Sequence, residues 1–254
     1  MSIEGVEALT VNESQAKKLM ELAAKREPLN SELEPWVEDT DAFGPMLRHP
    51  LVYMILGNPV DGIYPFGAQA NASFEAKQKG LAEARAEKHW GAVLNVFYER
   101  PYRLYAFEQI CEDMTDEEYW DHLGDIWTDS ENIWQNEIQW IEFLTCERPR
   151  SELMMDWDEL AALEAMPDTL RIYRGFHMEG REQGCSWTVE RARAEWFARR
   201  YTRDDDVARV ATGTAAKTDV LAHFMGRGEH EIVILPEHVN ITNIEKVEAP
   251  NDRS

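Results

Sequence analysis

Residues 228–236 read Gly-Glu-His-Glu-Ile-Val-Ile-Leu-Pro, and this stretch decides how the C-terminal part of the chain is interpreted. Four consecutive aliphatic residues closed by Pro236 predict a buried β-strand over residues 231–235. Residues two apart on a strand point to the same face, so we expect Glu229 and Glu231 to share one side. Two carboxylates at the mouth of an apolar strand are costly unless they are used, which makes both candidate functional residues.

The surrounding pattern predicts an α+β chain with a boundary near residue 165. Downstream of it we expect a strand over 171–176, a helix over 188–201, a strand over 207–216 and a short turn over 219–225. Upstream we expect helices over 1–35, 71–100 and 115–144, and irregular Pro- and Gly-rich structure over 36–70 with one short helix or strand at 51–56. The division is therefore a helical region of unknown role, 1–165, and a second domain, 166–254.

Tryptophans mark the acidic helical stretch that starts at Thr115. Thr115 and Glu118 have the spacing of a capping box. Trp120, Trp127, Trp134 and Trp140 then recur about every seven residues, which favours a core seam between helices over a cofactor or docking surface. The acidic residues among them are interpreted as a solvated face: Asp121, Asp125, Asp129 and Glu131.

The charge balance restricts the classes of partner. The chain has 26 Lys and Arg against 48 Asp and Glu, which gives a formal net charge of −22. Such a surface repels nucleic acid and anionic membranes at long range, so neither is a favoured partner. A macromolecular acceptor with a basic surface would be attracted by this negative charge, although a need for solubility alone also explains the charge.

The cysteines indicate a reducing compartment. Cys111, Cys146 and Cys185 are far apart, with no Cys-x-x-Cys pair and no Cys/His cluster at metal spacing. The first residues carry neither the basic segment nor the apolar segment of a signal peptide. We therefore expect a cytoplasmic location.

Two further segments suit ligand recognition. Arg174 and Gly175 lie on a predicted strand, where a guanidinium stands beside backbone that a ligand can approach closely, although an Arg at a strand end is also ordinary on a surface. Ser186, Trp187 and Thr188 precede a predicted helix. In a pocket, Ser186 is placed to bind a carboxylate and Trp187 to form a wall for a planar ring, whereas Thr188 also suits a simple helix cap.

Taken in order, these segments resemble the Arg–Ser–Glu signature of the ADP-ribosyltransferase superfamily. The matches are Arg174, the Ser-x-Thr motif at residues 186–188 and the Glu-x-Glu pair at residues 229–231. The resemblance covers about residues 168–248, and the combination is similar to proteins carried by bacteriophages. Cys185 and Trp187 depart from the smaller residues that are frequent beside the family's serine.

The resemblance implies the fold and the co-substrate. We expect a mostly helical N-terminal region followed by a split, curved β-sandwich of the ADP-ribosyltransferase type, without a Rossmann fingerprint. NAD would be the co-substrate, and no metal would be required. The implied NAD-binding residues are Arg174 at the pyrophosphate or ribose, Gly175 at the nicotinamide amide, and Ser186, Trp187, Thr188 and Glu231 around them.

The same resemblance implies the catalytic roles. Glu231, oriented by Ser186, would stabilise the oxocarbenium ion that forms as nicotinamide leaves. Glu229 would act as the base that activates an arginine acceptor, because a protonated guanidinium is a poor nucleophile. Arg174 completes the catalytic set, whereas His230 points to the opposite face and is left out.

Several functions remain open at this stage. The acceptor is a protein arginine, a nucleic acid or a small molecule, and NAD glycohydrolysis is a variant of the same chemistry. If a phage encodes the chain, the compartment is the host cytoplasm. A different class of function is a host-takeover or anti-defence protein that keeps the transferase fold as a scaffold and inhibits a host complex by docking. An inactive, virion-associated protein ranks last.

Overall fold

A computed structural model describes residues 25–131, 133–149, 151–200, 202 and 207–247. Most of the helix predicted over residues 1–35 lies outside these residues. The chain divides into two compact units, Met1–Gln109 and Ile110–Ser254. The sequence placed its boundary near residue 165, whereas the helices between residues 110 and 164 share a unit with the C-terminal sheet. Within the described ranges, no helix combines the length and apolar character needed to cross a membrane.

The first unit combines a small sheet with helices. Its antiparallel sheet has the order β1-β2-β3, and its strands and helices are β1 (Val37–Thr40), β2 (Gly44–His49), β3 (Val52–Ile55), α1 (Gly67–Ala86), α2 (Trp90–Ala92) and α3 (Arg103–Glu108). The strand option at residues 51–56 is confirmed, but β1 and β2 were expected to be irregular. The predicted helix over 71–100 ends early, because Lys88 adopts a left-handed φ of 56° and the His89 amide bonds to the Ala84 carbonyl.

The described residues of the second unit form four α-helices, of which Asp116–Asp129 and Trp157–Glu164 begin with a capping box. They are α4 (Asp116–Asp129), α5 (Glu137–Leu144), α6 (Trp157–Glu164) and, between later strands, α7 (Arg191–Arg200). The capping box is confirmed, since the Thr115 hydroxyl accepts from the Glu118 amide at 3.2 Å. The predicted helix over 115–144 is interrupted between α4 and α5, where Ile133–Asn136 forms a 3-10 turn.

Three of the four tryptophans form the predicted core. Trp120, Trp127 and Trp140 are each 1% exposed, and the rings of Trp127 and Trp140 meet edge to face at 4.8 Å. Trp134 differs, because it lies in the interruption between α4 and α5 and is 39% exposed. Asp121 and Asp125 are exposed, in agreement with a solvated face.

A six-stranded antiparallel sheet forms the rest of the second unit. Its order is β7-β8-β5-β4-β6-β9, and its strands are β4 (Thr169–Phe176), β5 (Ser186–Thr188), β6 (Arg209–Ala216), β7 (Val220–Phe224), β8 (Glu231–Ile234) and β9 (Asn240–Lys246). A single residue pair, Tyr173 with Thr188, joins β4 to β5, so two three-stranded halves meet at one point. The turn predicted over 219–225 is wrong, because that segment is strand β7, and β9 was not predicted.

Candidate functional site

The predicted site residues of the second unit all line one cleft. They are Arg174, Gly175, Ser186, Trp187, Thr188, Glu229 and Glu231. The cleft encloses about 180 Å³. Small-molecule pockets usually hold roughly 300–1,000 Å³, so the enclosed part suits one end of a larger ligand. Residues that are up to 57 positions apart in sequence are thus brought together at the junction of β4, β5 and β8.

Backbone carbonyls hold the guanidinium of Arg174 in place. Its Nε donates to the Arg181 carbonyl at 3.2 Å, and its Nη1 donates to the Ser186 carbonyl at 2.7 Å. Burial lowers the pKa of Arg174, which the negative charge of Glu137 opposes. An arginine keeps its proton in proteins, so Arg174 supplies a fixed positive charge in the cleft.

Gly184 makes room for that guanidinium. A Cβ at position 184 would lie 2.5 Å from Arg174 Nη2 and 2.9 Å from Glu137 Oε1. No side chain fits at such distances, so only glycine lets Arg174 reach this position. This contact has no signal in the sequence, because the three residues come from separate segments.

Ser186 and Glu231 form a hydrogen bond across strands β5 and β8. The register pairs Thr188 with Glu231 and Ser186 with Val233. In this arrangement the Ser186 hydroxyl donates to Glu231 Oε1. The contact that the resemblance implied between these two residues is therefore present. Because the Ser186 carbonyl also accepts from Arg174, one residue links the cation and the carboxylate of the cleft.

Glu229 reaches the cleft from a turn and not from a strand. Strand β8 starts at Glu231, and the two residues around Glu229 have left-handed backbone, with φ of 62° at Gly228 and 43° at His230. The expectation that Glu229 and Glu231 share a strand face is wrong, since this turn breaks the alternation of side chains. Both carboxylates line the cleft all the same. His230 does not, and its ring stacks on His223 with 5.9 Å between centroids.

Thr188 fixes the backbone of that turn. Its Oγ1 donates to the Glu229 carbonyl at 2.8 Å and accepts from the Glu190 amide at 3.1 Å. Helix α7 starts at Arg191, so the alternative role of Thr188 as its N-cap is wrong. The hydroxyl instead connects the end of β5 to the turn that carries Glu229.

Gly175 and Trp187 are structural residues of the cleft. A Cβ at position 175 would lie 1.9 Å from the Ala194 carbonyl oxygen, so the glycine makes room for helix α7. The Trp187 side chain packs in the sheet core, and its Nε1 donates to the Gly184 carbonyl at 2.7 Å. Trp187 is only 2% exposed, so its indole belongs mainly to the sheet core although the residue lines the cleft.

Sequence reasoning missed the aromatic residues that do line the cleft. Trp134 comes from the 3-10 turn before α5, Tyr173 from β4 and Phe197 from α7. Arg181 also lines the cleft, and its guanidinium lies 4.7 Å from the Trp134 ring centroid. The sequence predicted Trp134 to be buried, because its spacing matches that of the three core tryptophans.

The departures at Cys185 and Trp187 do not narrow the cleft. Cys185 is 1% exposed, and burial raises the pKa of its thiol to about 12. A thiol with such a pKa stays protonated near neutral pH and is a poor nucleophile. Both bulky neighbours of Ser186 therefore point into the core, and Ser186 faces the cleft between them.

The chain matches no protein-family model, no curated protein and no solved structure. Among the described residues, Asp121, His122 and Asp125 on α4 have ligand atoms within 4.8 Å of one another. They do not line the cleft, and such a group is ordinary on a solvated acidic helix.

Proposed function

We propose that this protein is an NAD-dependent ADP-ribosyltransferase whose reaction takes place in the cleft of the second unit. The observation that carries the proposal is the connection of Arg174, Ser186 and Glu231. The Ser186 carbonyl accepts from Arg174, and the Ser186 hydroxyl donates to Glu231. The motif residues of the resemblance thus contact one another, which their order in sequence alone does not require.

The polar groups of the cleft fit the chemistry of NAD. Arg174 supplies a fixed cation for the pyrophosphate or a ribose oxygen. Tyr173 supplies aromatic surface for a planar ring. The enclosed volume suits the nicotinamide-ribose end, with the rest of the dinucleotide outside. The single pairing between β4 and β5 also agrees with the split sheet that the resemblance implies.

The two carboxylates divide the chemical work. Glu231 stabilises the positive charge that develops on the ribose as its bond to nicotinamide breaks, and the bonding electrons leave with nicotinamide. Glu229 takes the proton from the acceptor as its nitrogen bonds to the ribose carbon. A fixed charge that acts in a partly dry cleft is typically worth about 3–4 kcal/mol to the reaction barrier.

The test uses adenylate-labelled NAD with and without cell lysate. Wild type is compared with Glu231→Gln and with Glu237→Gln, a control that removes an exposed carboxylate outside the cleft. We expect nicotinamide release and labelling of a discrete macromolecule, both lost in Glu231→Gln and retained in the control. Nicotinamide release without labelling would assign a glycohydrolase. No release and no NAD binding by calorimetry would contradict the proposal, and binding partners of the acidic surface should then be sought.

A further inference from the structure

Arg193, a residue of the same chain, forms an ion pair with Glu229, the second carboxylate of the cleft. Arg193 Nη2 donates to Glu229 Oε1 at 2.7 Å, and the two side chains are only 23% and 19% exposed. Arg193 Cζ also lies 4.7 Å from the Trp196 ring centroid and 5.3 Å from the Phe197 ring centroid. A carboxylate with aromatic rings around a planar cation is the set of contacts that binds a guanidinium.

The position of Arg193 in its helix is electrostatically unfavourable. It lies in the first turn of α7, and that turn contains no acidic residue. The helix dipole makes this end positive, so a cation here is unfavourable. The contacts with Glu229 and the two rings offset that cost. The position of Arg193 is therefore explained by its contacts with Glu229, Trp196 and Phe197, and not by helix stability.

We propose that Glu229, Trp196 and Phe197 form a guanidinium-binding subsite whose internal occupant is Arg193. An arginine side chain of another molecule must displace Arg193 before it can bond to Glu229 Oε1 and pack on the same two rings. The role of this exchange in transfer rests on the proposed function, whereas the competition for the subsite does not. Once displaced, Arg193 leaves Glu229 able to accept the proton of the incoming guanidinium, whose nitrogen bonds to the ribose carbon as nicotinamide departs.

This internal competition selects among acceptors. The apparent affinity for any guanidine falls in proportion to the fraction of molecules in which Arg193 has left Glu229. A free small guanidine has no other contacts to offset that loss. An arginine on a protein surface brings further contacts with the rim of the cleft, so the occupied subsite favours macromolecular acceptors over small ones.

The test measures binding of agmatine, a small guanidine, by calorimetry to Arg193→Gln and to Arg191→Gln. Arg191 is the matched control because it lies in the same helical turn but bonds to Glu195 and Glu245. We expect agmatine to bind Arg193→Gln about tenfold more tightly than wild type, as for a subsite that is about 90% occupied internally. Arg191→Gln should match wild type, and Arg193→Gln/Glu229→Gln should lose the gain.

A second readout separates this inference from the proposed function. With NAD and agmatine, Arg193→Gln should show a KM for agmatine about tenfold below that of wild type. If no variant releases nicotinamide but agmatine still binds more tightly to Arg193→Gln, the transferase proposal fails and the subsite stands. If agmatine binds Arg193→Gln no better than Arg191→Gln, or more weakly, Arg193 is not a competitor and the inference is overturned. Thermal melts ensure that all compared variants are folded.

Discussion

Gly175 on strand β4 and Ala194 on helix α7 are in such close contact that no side chain fits between them. A Cβ at position 175 would lie 1.9 Å from the Ala194 carbonyl oxygen and 2.6 Å from the Ala198 amide nitrogen. Both obstacles are backbone atoms of a helix, which cannot move separately. This contact fixes the distance between α7, which carries Arg193, and β4, which carries Arg174.

Gly175→Ala should therefore destabilise the second unit. Overpacking against backbone typically costs about 1–3 kcal/mol, and here the helix must move as a whole. We expect a lower free energy of unfolding and a lower rate of nicotinamide release, because Arg174 is the adjacent residue. Urea denaturation and a nicotinamide assay measure the two effects. Gly226→Ala is the control, since a Cβ there meets nothing within 4 Å; equal stability of both variants would contradict the prediction.

Ser186→Ala should slow the reaction in a protein that still folds. The substitution removes the hydroxyl that donates to Glu231, and a hydrogen bond to a charged group is worth about 1.5–3 kcal/mol. If that bond orients Glu231 in the transition state, kcat for nicotinamide release falls about 10–100-fold. Steady-state kinetics with NAD provide the measurement. Thr242→Val, which removes a hydroxyl that donates to the Thr212 carbonyl outside the cleft, should leave kcat unchanged. A change confined to KM in Ser186→Ala would argue against the orienting role.

The sequence predicted the polar residues of the cleft better than the aromatic residues that line it. The resemblance implied the contact between Ser186 and Glu231, and the apolar run after Glu231 predicted strand β8, because such a run is a local property that a sequence displays. The turn at Glu229 depends on a left-handed φ at His230, which is uncommon outside glycine and has no signal in the sequence. Trp134 was misassigned because its exposure depends on the break between α4 and α5.

The larger organisation was harder to predict for a similar reason. Strand β7 was interpreted as a turn because it is short, and its pairing partner β8 follows in sequence after another turn. The boundary near residue 165 follows a change in composition, whereas compactness depends on which helices pack with the sheet. Contacts of this kind are set by the tertiary structure and override local preference.

Thr188→Val should reduce transfer more than it reduces nicotinamide release. Valine keeps the shape of the side chain but cannot donate to the Glu229 carbonyl. The turn then holds Glu229 less firmly, while the hydrogen bond between Ser186 and Glu231 is untouched. We expect the ratio of label transferred to nicotinamide released to fall several-fold, measured with labelled NAD and a protein acceptor. Thr188→Ser, which keeps the hydroxyl, should preserve the ratio; a fall in both variants would assign the effect to packing.

His223 on β7 should make stability depend on pH. It is 1% exposed, and burial lowers its pKa, assisted by the nearby His230 and opposed by a backbone hydrogen bond with Glu159. Below the unfolded pKa of about 6.5, the unfolded chain binds a proton that the folded chain does not. Stability attributable to His223 is therefore complete above pH 6.5 and decreases as the pH falls from there toward the folded pKa, by at most about 1.4 kcal/mol per pH unit.

His223→Phe isolates this contribution because it keeps a planar ring beside His230 without a titratable group. Protonation of the many carboxylates changes stability in wild type and variant alike, so the informative quantity is the difference in free energy of unfolding between them at each pH. We expect this difference to shift in favour of His223→Phe between pH 7.5 and pH 5.5 in urea denaturation. A difference that stays constant with pH would mean that folding does not change the proton affinity of His223.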